Sequence, residues 1–265
     1  MIQRLDFAPL DGITRSVFRR VWFRHFGGAD RIFVPFFSPT HHHIVTPRDL
    51  REITREGAKD LPLVPQVMSR LAPDFLWAAE VLEDLGYREI NLNLGCPSGT
   101  VTAKGKGSGF LSRPEELDAF FDQVFSSVRL PVSVKTRLGY QTPEEFPRLL
   151  EIFNRYPIAC LTIHARVRPE KYKGPLHLDV FEAALRESKN PVCYNGDLQT
   201  VVGVRAFETR FPAAEAVMIG RGGVADPALF RKLQGGPPAS REELQSFTQE
   251  LYREYQAFYG QVGTA

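Results

Sequence analysis

The sequence predicts an α/β protein: a (β/α)8 TIM barrel with a short C-terminal helical extension. Three observations predict it. Eight strand-like segments alternate with helix-like segments at intervals of about thirty residues, the rhythm of a parallel sheet with helical crossovers. The count of eight favours closure, and 265 residues suit one barrel of about 250. Six of the strands end in a polar or charged signature on the carboxyl side, where the βα-loops of a barrel meet.

Arg4 to Pro9 is the first strand, stopped by Pro9-Leu10-Asp11-Gly12, and Thr14 can cap a helix running to about Phe26. Ile32 to Phe37 is the second strand. A polar connection with Pro39, His41-His42-His43 and Pro47 follows it. Leu61 to Met68 is the third strand, and its two prolines predict irregular pairing. Pro73 opens a helix with Phe75, Leu76, Ala79, Leu82 and Leu85 at helical spacing, closed by Gly86. Ile90 to Leu94 is the fourth strand, and Pro114 starts the helix of Leu117, Phe120, Phe121, Val124 and Phe125. Pro131 to Leu138 and Cys160 to Val167 are the fifth and sixth strands, followed by helices from Pro143 and around Leu178 to Leu185. Pro191 to Asn195 and Ala216 to Gly220 are the last two, with helices near Thr200 to Phe211 and Pro227 to Leu233. Gly235-Gly236-Pro237-Pro238 reads as a linker. It divides a barrel of residues 1–236 from an extension of residues 237–265, whose helix carries Leu244, Phe247, Leu251, Tyr255 and Phe258 on one face.

Composition narrows the class. Apolar content of 43% and charged content of 24% are those of a soluble globular chain. No stretch approaches the roughly 18 apolar residues of a membrane span, and the first residues carry no apolar signal segment. Cys96, Cys160 and Cys193 lie far apart with no paired spacing, so neither a metal site nor a disulfide framework is expected. The expected compartment is the cytoplasm. A net charge of +2 neither demands nor excludes nucleic acid, and no protein partner is evident.

The stretch from Glu89 to Leu111 organises the chain. A strand runs into Gly95-Cys96-Pro97, a turn that fixes a thiol just past the strand end, and a glycine-rich loop with Lys104 and Lys106 follows. A free cysteine is ordinarily a buried packing residue; Cys96 instead sits outside the apolar run. The other strand ends present Pro9-Leu10, Gln66, Asn93, Lys135 with Arg137, His164 with Arg166, Asn195 with Asp197, and Gly220-Arg221. Any one of these residues is ordinarily solvated or salt-bridged. A ring of them at one mouth calls for a polar ligand, because buried polar groups left unpaired cost about 1–3 kcal/mol apiece. The glycine-bearing loops after strands seven and eight are where barrels grip phosphate, with Arg221 as a charged fork. The Gly105–Gly109 loop lacks the spacing of a dinucleotide or P-loop motif.

As a set, these motifs resemble the signature of the tRNA-dihydrouridine synthases. They are Asn93-Leu94-Gly95-Cys96-Pro97, Lys104 to Gly109, Val134-Lys135-Thr136-Arg137, Ile163-His164-Ala165-Arg166, Tyr172-Lys173-Gly174, Asn195-Gly196-Asp197 and Ile219-Gly220-Arg221-Gly222. The resemblance runs in order from about residue 5 to 233. It implies a barrel that binds FMN and reduces the C5–C6 bond of uridine in tRNA or other structured RNA, with NADPH as reductant. Cys96 would be the catalytic residue, giving a proton to C5; an ordinary thiol is mostly protonated at pH 7. Lys135 would stand by the flavin N1–C2 edge, Gln66 would hydrogen-bond the isoalloxazine, and Pro9 and Leu10 would lie beside it. His164, Asn195, Gly196, Asp197, Gly220 and Arg221 would hold the phosphate end. Asn93 and Arg137 would orient the uracil, flipped out to reach the flavin, while Arg166, Tyr172 and Lys173 would contact RNA.

The chain departs from the family pattern in places. Pro9-Leu10 stands for the usual Pro-Met, and His164-Ala165-Arg166 for His-Gly-Arg. The region after the Gly/Pro cluster is long enough for only one long helix, where the family carries a helical domain for tRNA. Two further readings stay open: an FMN barrel oxidoreductase acting on a free small molecule, and a non-catalytic RNA-binding relic. A basic rim of Arg15, Arg19, Arg20 and Arg24 with His41 to His43 would favour RNA, although those arginines also suit a solvated outer face.

Overall fold

The structure, a computed structural model, describes residues 2–55 and 58–262. Residues 1, 56–57 and 263–265, which include the outer ends of both expected regions, lie outside the described residues. Among the described residues eight strands form: Arg4–Phe7 (β1), Arg31–Phe37 (β2), Leu63–Val67 (β3), Ile90–Leu94 (β4), Val132–Gly139 (β5), Leu161–Val167 (β6), Val192–Asn195 (β7) and Ala216–Ile219 (β8). They close in sequence order into a parallel barrel. β8 returns to β1, with Arg4 opposite Ala216 and Phe7 opposite Ile219. The helices are Ser16–His25 (α1), Pro47–Ile53 (α2), Ala72–Asp84 (α3), Gly99–Thr102 (α4), Pro114–Phe125 (α5), Phe146–Phe153 (α6), Leu178–Glu187 (α7), Val201–Arg210 (α8), Arg221–Ala225 (α9), Leu229–Leu233 (α10) and Arg241–Val262 (α11).

Alternation along the strands divides the core in two. One set of apolar side chains meets the helices, as where Phe7 packs edge-on to Trp22 at 4.6 Å and beside Phe230 at 5.1 Å. A smaller set, including Phe33, Val64, Cys160, Cys193 and Met218, forms a separate cluster. Of the two prolines expected to disturb the third strand, Pro62 falls before β3, while Pro65 lies within it and acts together with a partner. Pro35 in β2 and Pro65 in β3 lack ladder N–H groups, Val34 pairs with Pro65, and the register shifts before Phe37 meets Val67.

Three short helices fall where the sequence predicts connections. α2 begins at Pro47, with the Thr46 hydroxyl accepting from the Asp49 N–H, a cap that Thr-Pro encodes. α4 and a 3₁₀ turn over Gly107–Ser112 occupy the glycine-rich loop, and α9 opens directly after Gly220.

The expected C-terminal helix is present and lies against α1. Phe247 packs against Phe18 and Phe26. Arg24 bonds Glu250 at 2.5 Å, His25 meets the same carboxylate at 2.7 Å, and Arg20 reaches Glu254 at 3.5 Å. Past the Gly/Pro cluster, Arg231 forks onto Glu243 at 2.7 and 2.9 Å. This corrects both expectations for the α1 arginines. They make neither a free basic rim nor a bare solvated face: Arg20 and Arg24 face α11, and Arg19 is 2% exposed and paired with Glu52.

Candidate active site

A cavity of about 380 Å³ opens at the carboxyl ends of the strands. Fourteen of the sixteen expected site residues line it: Pro9, Leu10, Gln66, Asn93, Cys96, Lys135, Arg137, His164, Tyr172, Asn195, Gly196, Asp197, Gly220 and Arg221. Arg166 and Lys173 do not: Arg166 is buried behind the wall and Lys173 is exposed. The lining also includes Ile13, Phe36 and Gln199, which sequence reasoning passed over. Ile13 follows β1 and Phe36 is the penultimate residue of β2, but their apolar side chains carried no chemical signal.

Cys96 is seated by backbone geometry. The Asn93 side-chain oxygen accepts from the N–H groups of Gly95 and Cys96, each at 3.0 Å. The Cys96 carbonyl accepts from the Ser108 N–H and hydroxyl. Gly107 lies beneath it at φ +56°, where a Cβ would come within 2.9 Å of the Cys96 carbonyl oxygen and 3.0 Å of its Cβ. Only glycine allows this approach. Burial pushes the Cys96 thiol up, against a backbone hydrogen bond from Ser98 and the Arg137 charge.

A ladder of amides runs across the strands beneath the cavity. Asn93 donates to Gln66 at 2.6 Å, Gln66 to Asn91 at 2.7 Å, and Asn91 to the Ser133 hydroxyl at 2.9 Å. The period of two along β4 points Asn91 and Asn93 to one side, and the ladder satisfies groups that would otherwise be orphaned.

Cations dominate the rest of the wall. Lys135 donates to the Asn195 side chain at 2.9 Å. Burial, aided by the Arg137 charge, brings its ammonium down to about 7. Arg137 donates to the carbonyls of Gly95 and Val167 and lies over the Tyr172 ring; burial lowers it to about 10. The His164 Nε2 meets Arg166 at 3.3 Å. Burial, with Lys135, Arg137, Arg166 and Arg221 nearby, holds this imidazole well below its usual range and so neutral. Its Nε2 must then accept from the guanidinium, which leaves Nδ1–H as a donor.

Asp197 ties the arginines together. Arg166 forks onto its carboxylate at 3.0 and 2.5 Å, and Arg221 adds a bond at 2.6 Å. The hydrogen bonds from Arg166, with the arginine charges, hold the carboxyl below the usual range. The residue itself sits at φ +43°, a backbone tolerated here by three charged contacts.

The donor set fits an amphipathic ligand with an anionic end. Lys135, Arg137 and Arg221 line the cavity with Arg166 behind them, against the carboxylates of Asp11 and Asp197. Lys135 makes one hydrogen bond and retains two ammonium protons for a ligand. The lining also offers Leu10, Ile13, Phe36 and Leu198 to a flat apolar body.

Fold and site together define a (β/α)8-barrel enzyme with its chemistry at the carboxyl face of the barrel. The family described as "Dihydrouridine synthase (Dus)" matches residues 6–263. The chain belongs to the dihydrouridine synthase family, an enzyme family of flavin-dependent oxidoreductases. It is 32% identical to tRNA-dihydrouridine synthase B of Proteus vulgaris over 262 residues, covering 96% of this chain and 80% of that one. It is 33% identical over 233 residues to the probable tRNA-dihydrouridine synthase of Staphylococcus aureus (strain COL), covering 85% and 70%. In fold it resembles the solved old yellow enzyme homologue from Zymomonas mobilis, with a TM-score of 0.62 over 91% of each chain at 12% identity. Family membership implies a flavin, and the cavity fits one. No helix among the described residues is long and apolar enough to cross a membrane.

Proposed function

We propose that this chain reduces uridine in tRNA to 5,6-dihydrouridine, with FMN as its flavin and NADPH as the reductant. The observation that carries it is the thiol of Cys96, seated by Asn93 and Gly107 at the edge of a cationic, flavin-sized cavity. FMN, when bound, supplies the hydride for C6 and is recharged by NADPH. Cys96 supplies the proton for C5. Burial raises its pKa, so the thiol keeps its proton at neutral pH, as a general acid must.

Each remaining side chain has a role consistent with its contacts. Lys135 offers ammonium protons to the electron-rich edge of the ring system, and Gln66, anchored by Asn91, presents its remaining N–H. His164 and Arg221 offer donors to the phosphate, with the loops at Asn195–Asp197 and Gly220 beside them. The Asp197 carboxylate itself would repel a phosphate; its part is to brace Arg166 and Arg221. Arg137 orients the uracil. Asn93 spends its oxygen on the Gly95 and Cys96 N–H groups and one N–H on Gln66, which leaves one N–H to orient the uracil beside Arg137. Residues 1–236 would form the flavin-binding barrel and residues 237–265 an RNA-binding extension, working in the cytoplasm.

The test is direct. Flavin-loaded protein, NADPH and an unmodified tRNA transcript should yield dihydrouridine by nucleoside mass spectrometry. Protein that holds FMN, oxidises NADPH on no RNA and leaves every transcript unchanged would overturn the proposal.

A pH prediction follows from Lys135. Its charged form is the one that attracts an electron-rich ligand, and in the free cavity that form is lost as pH rises through about 7. FMN binding should therefore take up a proton, and affinity should fall by up to about tenfold per pH unit above that point. Fluorescence titration of FMN between about pH 6 and 9 measures it. In Lys135→Met the slope should vanish; a slope that persists there assigns the proton elsewhere.

A further inference from the structure

We propose that a groove beside the catalytic cavity holds the nucleotide adjoining the target uridine; this rests on the RNA substrate argued above. The groove, of about 640 Å³, runs between the loop after β2 and the glycine-rich loop after β4. Phe36 lines both the groove and the cavity, so an RNA strand with one base in the cavity continues into the groove. Leu71, 47% exposed, adds apolar surface for a base.

The groove's charges are unevenly committed. Lys106 donates to the Ser38 hydroxyl at 3.0 Å and the Pro39 carbonyl at 3.3 Å, which ties the two loops together and sets the width. Asp74 is 7% exposed and engaged by His43 at 3.0 Å, whose ring stacks on Trp77. Among the described residues Arg70 has only a long ion pair, 3.9 Å from Glu116. Lys104 is exposed and forms no ion pair among the described residues. Apolar surface for a base, flanked by two available cations, suits a single-stranded nucleotide. These are also the cations that the α1 arginines, engaged by Glu52 and α11, do not supply.

The experiment follows binding of a short single-stranded oligoribonucleotide to the FMN-loaded protein as salt is raised. Arg70→Ala with Lys104→Ala should weaken binding on the order of tenfold near about 0.1 M salt and lower the slope of log K against log salt by about 1.4, some 0.7 for each of two phosphates. Arg186→Ala with Lys189→Ala removes the same charge at the opposite barrel face, between α7 and β7, and should change neither quantity. Anaerobic flavin reduction by NADPH should match the unaltered protein in both double variants. Wild-type affinity and slope in the groove variant, or equal weakening in the two, would overturn the groove. If the unaltered protein shows no salt-dependent RNA affinity, the RNA substrate falls and the groove falls with it.

Discussion

Cys96→Ala is expected to bind FMN, accept electrons from NADPH, and form dihydrouridine slower by a factor on the order of 10²–10⁴, the usual worth of a positioned general acid. The split follows from geometry. Cys96 has its backbone pinned by Asn93 and Ser108 while its side chain borders the cavity. Neither cofactor binding nor cofactor reduction uses the thiol. The other cysteines are controls. Cys160 is 1% exposed with its sulfur 3.1 Å from Arg4, and Cys193 is fully buried with its sulfur 3.8 Å from Asp6. Both belong to the buried cluster that excludes the cavity thiol. Alanine at either should cost about 1 kcal/mol or somewhat more and leave turnover largely intact. The pH profile adds an independent reading. The acid form is the active one, and burial raises the Cys96 pKa. Rates should therefore hold through the ordinary thiol range near about 8.5 and fall only above it. Turnover and flavin reduction measured side by side decide the matter: normal dihydrouridine formation by Cys96→Ala refutes the proton-donor role.

How much of this was legible in the chain depends on which forces act locally. The strands were, because a period of two and terminal prolines are written residue by residue. The cavity residues followed, since closure of a parallel barrel brings every strand end to one mouth. Arg166 shows where this stops. It is two residues from His164 and shares its side of β6, so the period alone sends both inward. The structure places the guanidinium behind the wall because Asp197, thirty-one residues later, receives it. Asn93 shows a second limit: its type suggests a base contact, while the seat its oxygen gives the Gly95 and Cys96 N–H groups depends on a turn geometry that residue type does not reveal. The α1 arginines failed for the same reason as Arg166. The partners of Arg20 and Arg24, Glu254 and Glu250, lie more than 220 residues away, and Glu52 lies 33 residues from Arg19; no local pattern announces ion pairs across such distances. Thr46-Pro47 was a readable helix start, but in a stretch with His41 to His43 and Pro39 it competed with stronger turn signals.

Arg19→Met is expected to destabilise the fold by about 3–5 kcal/mol, the range for breaking a buried ion pair by removing one partner. Arg19 is 2% exposed and donates to the Thr14 carbonyl at 2.7 Å, the Glu52 carbonyl at 2.7 Å and the Glu52 carboxylate at 3.2 Å. Its loss strands a carboxylate that is only 13% exposed and keeps just the Ser16 N–H at 2.9 Å and a distant Arg15 at 3.9 Å. For a chain of this size the midpoint of thermal unfolding should drop by roughly 6–15 °C. Arg24→Ala is the contrast. Its side chain is 48% exposed, and its pair with Glu250 should be worth about 0.2–1 kcal/mol despite the shorter distance. Function should feel the first change as well. Arg19 holds Thr14, whose hydroxyl accepts from the Leu10 N–H at 2.8 Å, and Leu10 is a wall of the cavity. FMN should therefore bind more weakly in Arg19→Met and normally in Arg24→Ala. Adding Glu52→Gln to Arg19→Met removes the stranded charge but keeps an acceptor for Ser16, so part of the stability should return. If Arg24→Ala proves the costlier change, or if Glu52→Gln worsens Arg19→Met, the buried clamp does not hold the β1–α1 loop as described.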